Sequence, residues 1–266
     1  MTRGHRRPLA LTMFAAAFAA PALLLFALAL AAPADHDFNG ERLTYEFGWQ
    51  KISAATAAVS VDKIDIGGRP GYRIVLKLTS KPALDLLWRV RDVITSETFA
   101  DTMRCNKFLF QQREASFYLD TTIRHDADRS LLIGSRVRIR KSDRQTFDDH
   151  QAPDDRLDPL GALLYVQLLE MAPGKEYDLQ VFDGNRQHEL TYSVLGEERV
   201  KIGLGEFDAW KVQPRIVHSS NPDQNSKVAK VQEVFMWVDK NSPHRVLRIE
   251  SEAFVGRIYV ELIQAS

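Results

Sequence analysis

From Leu43 to Ile263 the chain alternates apolar and polar residues in short segments separated by turns, the period of two that marks half-buried β-strands. Leu43, Tyr45, Phe47 and Trp49 share one face of the first segment, and Ala57, Val59 and Val61 share one face of the second. After the turn Gly67-Gly68-Arg69-Pro70-Gly71 the pattern resumes at Tyr72, Ile74, Leu76 and Leu78. Val90 to Phe99, Lys107 to Glu114, Phe117 to Arg124 and Leu131 to Arg140 read as four further strands, the last two joined around His125-Asp126-Ala127-Asp128. Such a succession predicts an antiparallel meander.

Two segments interrupt it. Lys81-Pro82-Ala83-Leu84-Asp85-Leu86-Leu87-Trp88 reads as a short apolar helix or plug, opened by Pro82, that closes one end of a barrel. Residues 141–157 carry Asp148, Asp149, Asp154 and Asp155 without a hydrophobic period and read as a solvated loop. A helix is predicted from Pro159 to about Glu170, with Asp158 as N-cap, Pro159 at the first helical position and Leu160, Leu163, Leu164, Gln167 and Leu168 at helical spacing before Pro173-Gly174. Strands then return: Glu176 to Phe182, a turn at Asp183-Gly184-Asn185, Gln187 to Leu195, Glu197 to Ile202, Ala209 to Val217, Lys230 to Val238, His244 to Glu252 and Gly256 to Ile263, with a polar loop at Ser219 to Ser226. The expected fold is mainly β: a large twisted antiparallel sheet or partly open β-barrel with one mid-chain α-helix. One barrel is preferred over two β domains.

The first 34 residues point outside the cytoplasm. Arg3, Arg6 and Arg7 precede an apolar run from Leu9 to Ala32, and Ala32-Pro33-Ala34 offers the small residues of a cleavage site. Residues 1–34 are read as a signal peptide and 35–266 as a β-rich periplasmic domain. The alternative is an inner-membrane anchor formed by residues 9–32, since the run approaches the roughly 20 residues that span a bilayer. Pro21 within the run and the Ala-Pro-Ala end favour cleavage. Membrane association is expected only if this segment is uncleaved.

Composition removes several functional classes. The whole chain balances 35 basic against 35 acidic residues, and the leader holds three arginines and no acid, so the mature part carries 32 against 35. Nucleic acid, whose phosphates call for clustered positive charge, is not an expected partner. Cys105 is the only cysteine, which excludes an internal disulfide and multi-cysteine metal sites. The sequence lacks Gly-x-Ser-x-Gly, His-Glu-x-x-His and a phosphate loop. His36, His125, His150, His188, His218 and His244 are mutually dispersed, and Asp35-His36-Asp37 is assigned to a mobile terminus. No catalytic, cofactor-binding or metal residue is assigned, and no cofactor is expected. Arg136, Arg138 and Arg140 fall on one strand face with Val137 and Ile139 on the other. They could meet phosphate or carboxylate groups of an envelope molecule, although a solvent-facing edge strand protected by charge is the preferred reading. The aromatics, among them Tyr45, Phe47, Trp49, Trp88, Phe117, Trp210, Phe235 and Trp237, are assigned to core packing, and Gly203 and Gly205 to a tight turn.

Four motifs resemble the bacterial exported family catalogued as domain of unknown function 3108: Gly40-Glu41-Arg42-Leu43-Thr44-Tyr45, Asp158-Pro159-Leu160-Gly161-Ala162-Leu163-Leu164-Tyr165, Gly203-Leu204-Gly205-Glu206-Phe207-Asp208-Ala209-Trp210-Lys211-Val212 and Phe235-Met236-Trp237-Val238. The resemblance spans about residues 38 to 263 and implies a β-rich periplasmic protein, with no activity to carry over. The expected function is a non-enzymatic periplasmic envelope protein that binds a lipid or other hydrophobic envelope ligand in an open β-barrel, an assignment resting on fold analogy. One alternative is a hydrolase of envelope polymers with a site built from dispersed residues. The other is a structural partner in an envelope complex.

Overall fold

The computed structural model describes residues 36–50, 52–140, 143–219, 233–241, 243–253 and 256–266. The proposed signal peptide, the polar loop after Ser219 and the start of the strand expected from Lys230 lie outside the described residues; the expected mature part is described from His36 onward.

The first half of the chain forms β1 (Arg42–Trp49), β2 (Ile52–Ile66), β3 (Arg69–Ser80), β4 (Arg91–Phe99), β5 (Cys105–Glu114), β6 (Phe117–Asp126), β7 (Leu131–Ile139), β8 (Arg144–Thr146) and β9 (His150–Pro153). The single α-helix among the described residues, α1 (Pro159–Val166), follows. The second half forms β10 (Glu176–Phe182), β11 (Gln187–Ile202), β12 (Gly205–Ser219), β13 (Val234–Asp239), β14 (Val246–Ala253) and β15 (Gly256–Ala265). All belong to one antiparallel sheet in the order β10 to β15, then β1 to β8, with β9 paired to β7. The two halves therefore join through the β1–β15 pair, whose register runs from Leu43 opposite Ala265 to Trp49 opposite Ile258.

The sheet curls but is not closed into a barrel by a continuous ladder. Among the described residues its two ends meet at one parallel bridge, between Leu157 and Val181, in which Leu157 N–H donates to the Gln180 carbonyl and Phe182 N–H to the Leu157 carbonyl. The second meeting point needs glycine on both sides. A Cβ at Gly134 in β7 would lie 2.2 Å from the Gly184 carbonyl oxygen, and Gly184 in the β10–β11 turn has φ +87° with its own Cβ position 2.6 Å from Thr121 Cγ2. Two backbones approach here more closely than any side chain permits.

Helix α1 lies within the curl against β4 and β10, because six of its eight residues are buried and need apolar neighbours. Asp158 caps it as expected, its Oδ1 accepting from Leu160 N–H (2.9 Å) and Gly161 N–H (3.0 Å). The helix stops four residues earlier than the spacing suggests. The Leu163 carbonyl accepts from the Gln167 side-chain amide, the Gln167 carbonyl accepts from His244 N–H, and Gln167, Leu168 and Leu169 continue in i→i−3 turns.

Other sequence expectations are corrected. Residues 141–157 are not all loop, since β8 and β9 pair with β7. The strands expected on either side of Gly196 are one strand, β11, with its register shift at Val194 and Gly196. The mature start is tied down rather than mobile: Lys63 Nζ reaches Asp37 at 2.6 Å, and the Phe38 ring is buried edge-on to Tyr72. The expected plug after β3 plugs nothing. Only Pro82–Leu84 forms a 3-10 turn, and Leu86 and Leu87 are 95% and 66% exposed.

A half-filled inner face with opposed charges

Residues directly opposite one another in an antiparallel pair project on the same side, so the register defines rows of inward-facing side chains. The row Ile74, Ser96, Phe108, Ile123 and Gly134 is buried throughout, covered by α1 and the β10–β11 turn. From that row to the end of the sheet where β3 joins β4, the filling elements give out.

The next row holds Leu76, Ile94, Phe110, Thr121 and Arg136, in which Leu76, Phe110 and Arg136 are half-buried. The third holds Leu78, Asp92, Gln112, Leu119 and Arg138, and here all but Asp92 are half-buried. The last holds Ser80, Val90, Glu114 and Phe117. The open half of the inner face thus combines apolar side chains with charges of both signs. About 14 Å of sheet, three strand spacings, separates the Asp92 column from the Arg138 column.

On one flank the carboxylates are buried. Asp92 accepts from the backbone N–H of Arg113 at 2.6 Å, and Glu114 accepts from the Gln112 side-chain amide at 2.6 Å. Burial pushes the Asp92 carboxyl up to about 6 against the pull of the Arg113 N–H and guanidinium. Burial likewise pushes Glu114 up to about 7, opposed by the Gln112 amide and reinforced by the charge of Asp92. Shifts of this kind in a partly open setting mark candidate functional groups.

On the other flank the guanidinium of Arg136 lies 4.9 Å from the centroid of Phe147, and that of Arg138 lies 4.8 Å from the centroid of Phe117. Arg138 Nε is buried with no hydrogen-bond acceptor among the described residues. The alternation that places these two arginines on one face is as expected from the sequence. The face is not the expected one: it points into the curl, and β7 lies inside β8 and β9 instead of forming a bare edge. Arg140, by contrast, is exposed.

The remaining polar residues serve the fold. Among the described residues no three metal-ligating side chains gather at one point. His125 Nε2 pairs with Asp154 at 3.2 Å, and His188 Nε2 with Asp183 at 2.9 Å. Cys105 is buried beside Asp158, and burial together with that carboxylate pushes its thiol well above the ordinary range, the setting of a structural thiol. Asp92 and Glu114 have no sequence motif. Their in-phase position with Leu78 and Ile94 is the one signal that could have found them.

A family model described as protein of unknown function DUF3108 matches residues 42–263. No curated protein matches. A β-barrel-like protein of domain of unknown function DUF1849 from Brucella abortus superposes with a TM-score of 0.54 at 10% identity, covering 87% of this chain and 98% of its own, a likeness of fold alone. A protein described as exported, with a YmcC-like fold, from Bacteroides fragilis overlays at a TM-score of 0.37 and 12% identity, covering 91% and 99% of the two chains. One described as a lipoprotein from Parabacteroides distasonis overlays at 0.35 and 9%, covering 86% and 95%. The last two overlays are too loose to carry an argument. No helix among the described residues is long and apolar enough to cross a membrane.

Proposed function

The chain belongs to this family of proteins of unknown function, DUF3108, and we propose that it is a non-enzymatic periplasmic envelope protein that binds an amphiphile in the open half of its curled sheet. The leader at residues 1–34 supports export and cleavage before Asp35. One observation carries the ligand class: Leu76, Leu78, Phe110 and Leu119 stand half-buried on the same face as Arg136 and Arg138. An acyl chain would cover the apolar rows, and an anionic head group would meet the guanidinium of Arg138, whose buried Nε has no acceptor among the described residues, with the positive charge of Arg136 beside it. Ligand sites of this type are mostly apolar with a few fixed polar groups.

An envelope-polymer hydrolase would draw on Asp92 and Glu114. Both are buried and held by neighbouring amides, which favours a positioning role over attack on a substrate.

Titration with a dansylated fatty acid tests the reading in the absence of membranes. Wild-type protein is expected to shift the probe emission to the blue with saturable binding that weakens as salt is raised, because the head group is held by charge. The variant Arg136→Gln/Arg138→Gln should bind roughly tenfold more weakly and lose most of that salt dependence while keeping its near-ultraviolet circular dichroism. An emission spectrum that protein leaves unchanged, or a variant indistinguishable from wild type, would reject it.

A further inference from the structure

We propose that the loop joining β3 to β4 is a membrane-contact element that seats the open end of the sheet on an anionic lipid bilayer. The loop carries two leucines turned away from the protein. Leu86 is 95% exposed and Leu87 66%, while Leu84 and Trp88 beside them are half-buried. Exposed apolar groups in one tight turn have no use in the fold itself.

The tip is built, not frayed. At its base Ser80 Oγ donates to Asp85 Oδ1, and Arg91 Nη1 donates both to Ser80 Oγ at 2.9 Å and to Asp85 Oδ1 at 3.1 Å, with Nη2 on Asp85 Oδ2. Lys81 N–H donates to the Ala54 carbonyl at 2.9 Å. Two successive turns follow, Leu87 N–H and Trp88 N–H both donating to the Leu84 carbonyl. This polar base fixes the direction in which Leu86 and Leu87 project, so little ordering is lost on insertion.

The chemistry of the loop selects the partner. From Lys81 to Arg91 the chain has three basic residues, Lys81, Arg89 and Arg91, and one acid, Asp85, a net charge of +2; Arg91 is held by Asp85 and Lys81 lies 3.8 Å from Glu46, so exposed Arg89 is the cation best placed for a lipid phosphate. Leucines at a tip, a tryptophan behind them and cations at the flanks match the interface of an anionic bilayer, whose acyl boundary takes the first, whose head-group layer takes the second and whose phosphates take the third. Two leucines present far less than the ~1,000 Å² that a stable protein interface needs. Ile52 at the start of β2, the strand whose Ala54 carbonyl holds Lys81 N–H, is 48% exposed and adds an apolar group at this end. The inner-face rows that contain Leu76, Leu78 and Asp92 run directly into this loop. Docking would therefore place the mouth against the lipid surface, the only step that rests on the amphiphile-binding reading above.

The test uses protein isolated from the cell envelope with Leu86→Cys carrying a nitrobenzoxadiazole label. Buried Cys105 stays unlabelled, which wild-type protein verifies. Leu204→Cys labels the β11–β12 turn at the opposite end of the sheet as the control. With vesicles of phosphatidylethanolamine and phosphatidylglycerol, the Leu86 label is expected to shift to the blue and brighten, the Leu204 label to stay unchanged, and partition to fall at least ~10-fold when Leu87→Asp is added. Phosphatidylcholine vesicles or high salt should weaken the response. A silent Leu86 label, equal responses from both labels, or a response that requires an added protein fraction would overturn the proposal. Dansyl fatty-acid binding by Leu86→Asp/Leu87→Asp without vesicles separates the two readings, since it should equal wild type even when docking is lost.

Discussion

Asp158→Ala is expected to cost the fold about 3–5 kcal/mol and to lower its melting temperature by roughly 10 °C. Asp158 is fully buried, and its two oxygens accept from Leu160 N–H, Gly161 N–H and, at 2.8 Å, Ser96 Oγ from β4, with the Cys105 thiol beside them. Removal leaves those donors buried without acceptors, and each such group costs about 1–3 kcal/mol. The loss is felt beyond the helix, because this carboxyl joins α1 to the sheet that α1 fills. Burial raises the Asp158 carboxyl above its usual range, against the pull of its hydrogen bonds. Asp158→Asn, which keeps an acceptor for both backbone groups, should therefore lose much less than Asp158→Ala. Thermal denaturation of both variants checks the order, and equal melting of Asp158→Ala and wild type would refute it.

The second large effect is a loss of stability as pH rises from about 5 to about 8, arising at Asp92 and Glu114. Ordinary unfolded carboxyls titrate near 4, whereas in the folded chain burial raises Asp92 to about 6 and Glu114 to about 7. Between the two ranges the folded state holds more protons than the unfolded state. The stability these groups contribute is thus fully present below pH ~4 and is lost as pH passes through their folded values. The expected cost is on the order of 1–3 kcal/mol across that interval, and Asp92→Asn/Glu114→Gln should remove this part of the slope while preserving the hydrogen bonds from Arg113 N–H and the Gln112 amide; buried Asp158, whose carboxyl is also raised, adds a slope of the same sign that the variant keeps. Asp37, Asp85 and Asp183 do not compete in this window, because their pairing with Lys63, Arg91 and, against burial, His188 holds them below the usual carboxylate value. Urea unfolding at about pH 5 and pH 8 measures the difference. A variant that retains the wild-type pH slope would assign the slope elsewhere.

The strands were legible because most present a strong contrast between faces. Tyr72, Ile74, Leu76 and Leu78 against Arg73, Lys77 and Thr79 leave one register for β3. The N-cap at Asp158 was legible for the same local reason. The candidate site was not, because β4 offers no contrast: Asp92, Ser96 and Thr98 point inward while Val93 and Thr95 occupy the outer face. Polar residues inside and an apolar one outside reverse the usual pattern, and only the pairing with Leu78 and Phe110 on neighbouring strands reveals it. The arginines of β7 misled differently. Their spacing gave the right partition into two faces, but charge argued for solvent, and the stacking of Arg138 on Phe117, 21 residues earlier, is a tertiary fact. The Leu86-Leu87 segment misled through hydrophobicity, since apolar residues are expected to cover a core and here are held away from one by Asp85 and Arg91. Contacts between the sheet ends, such as Gly134 against Gly184, have no local signal.

Native mass spectrometry of the protein released gently from the envelope of its own cells, with organic extraction of the same sample, tests the central claim most directly. The expected result is residues 35–266 together with one bound acyl-bearing anionic molecule, recovered in the extract and depleted in Arg136→Gln/Arg138→Gln. Bare polypeptide from both proteins, with no lipid in either extract, would contradict it.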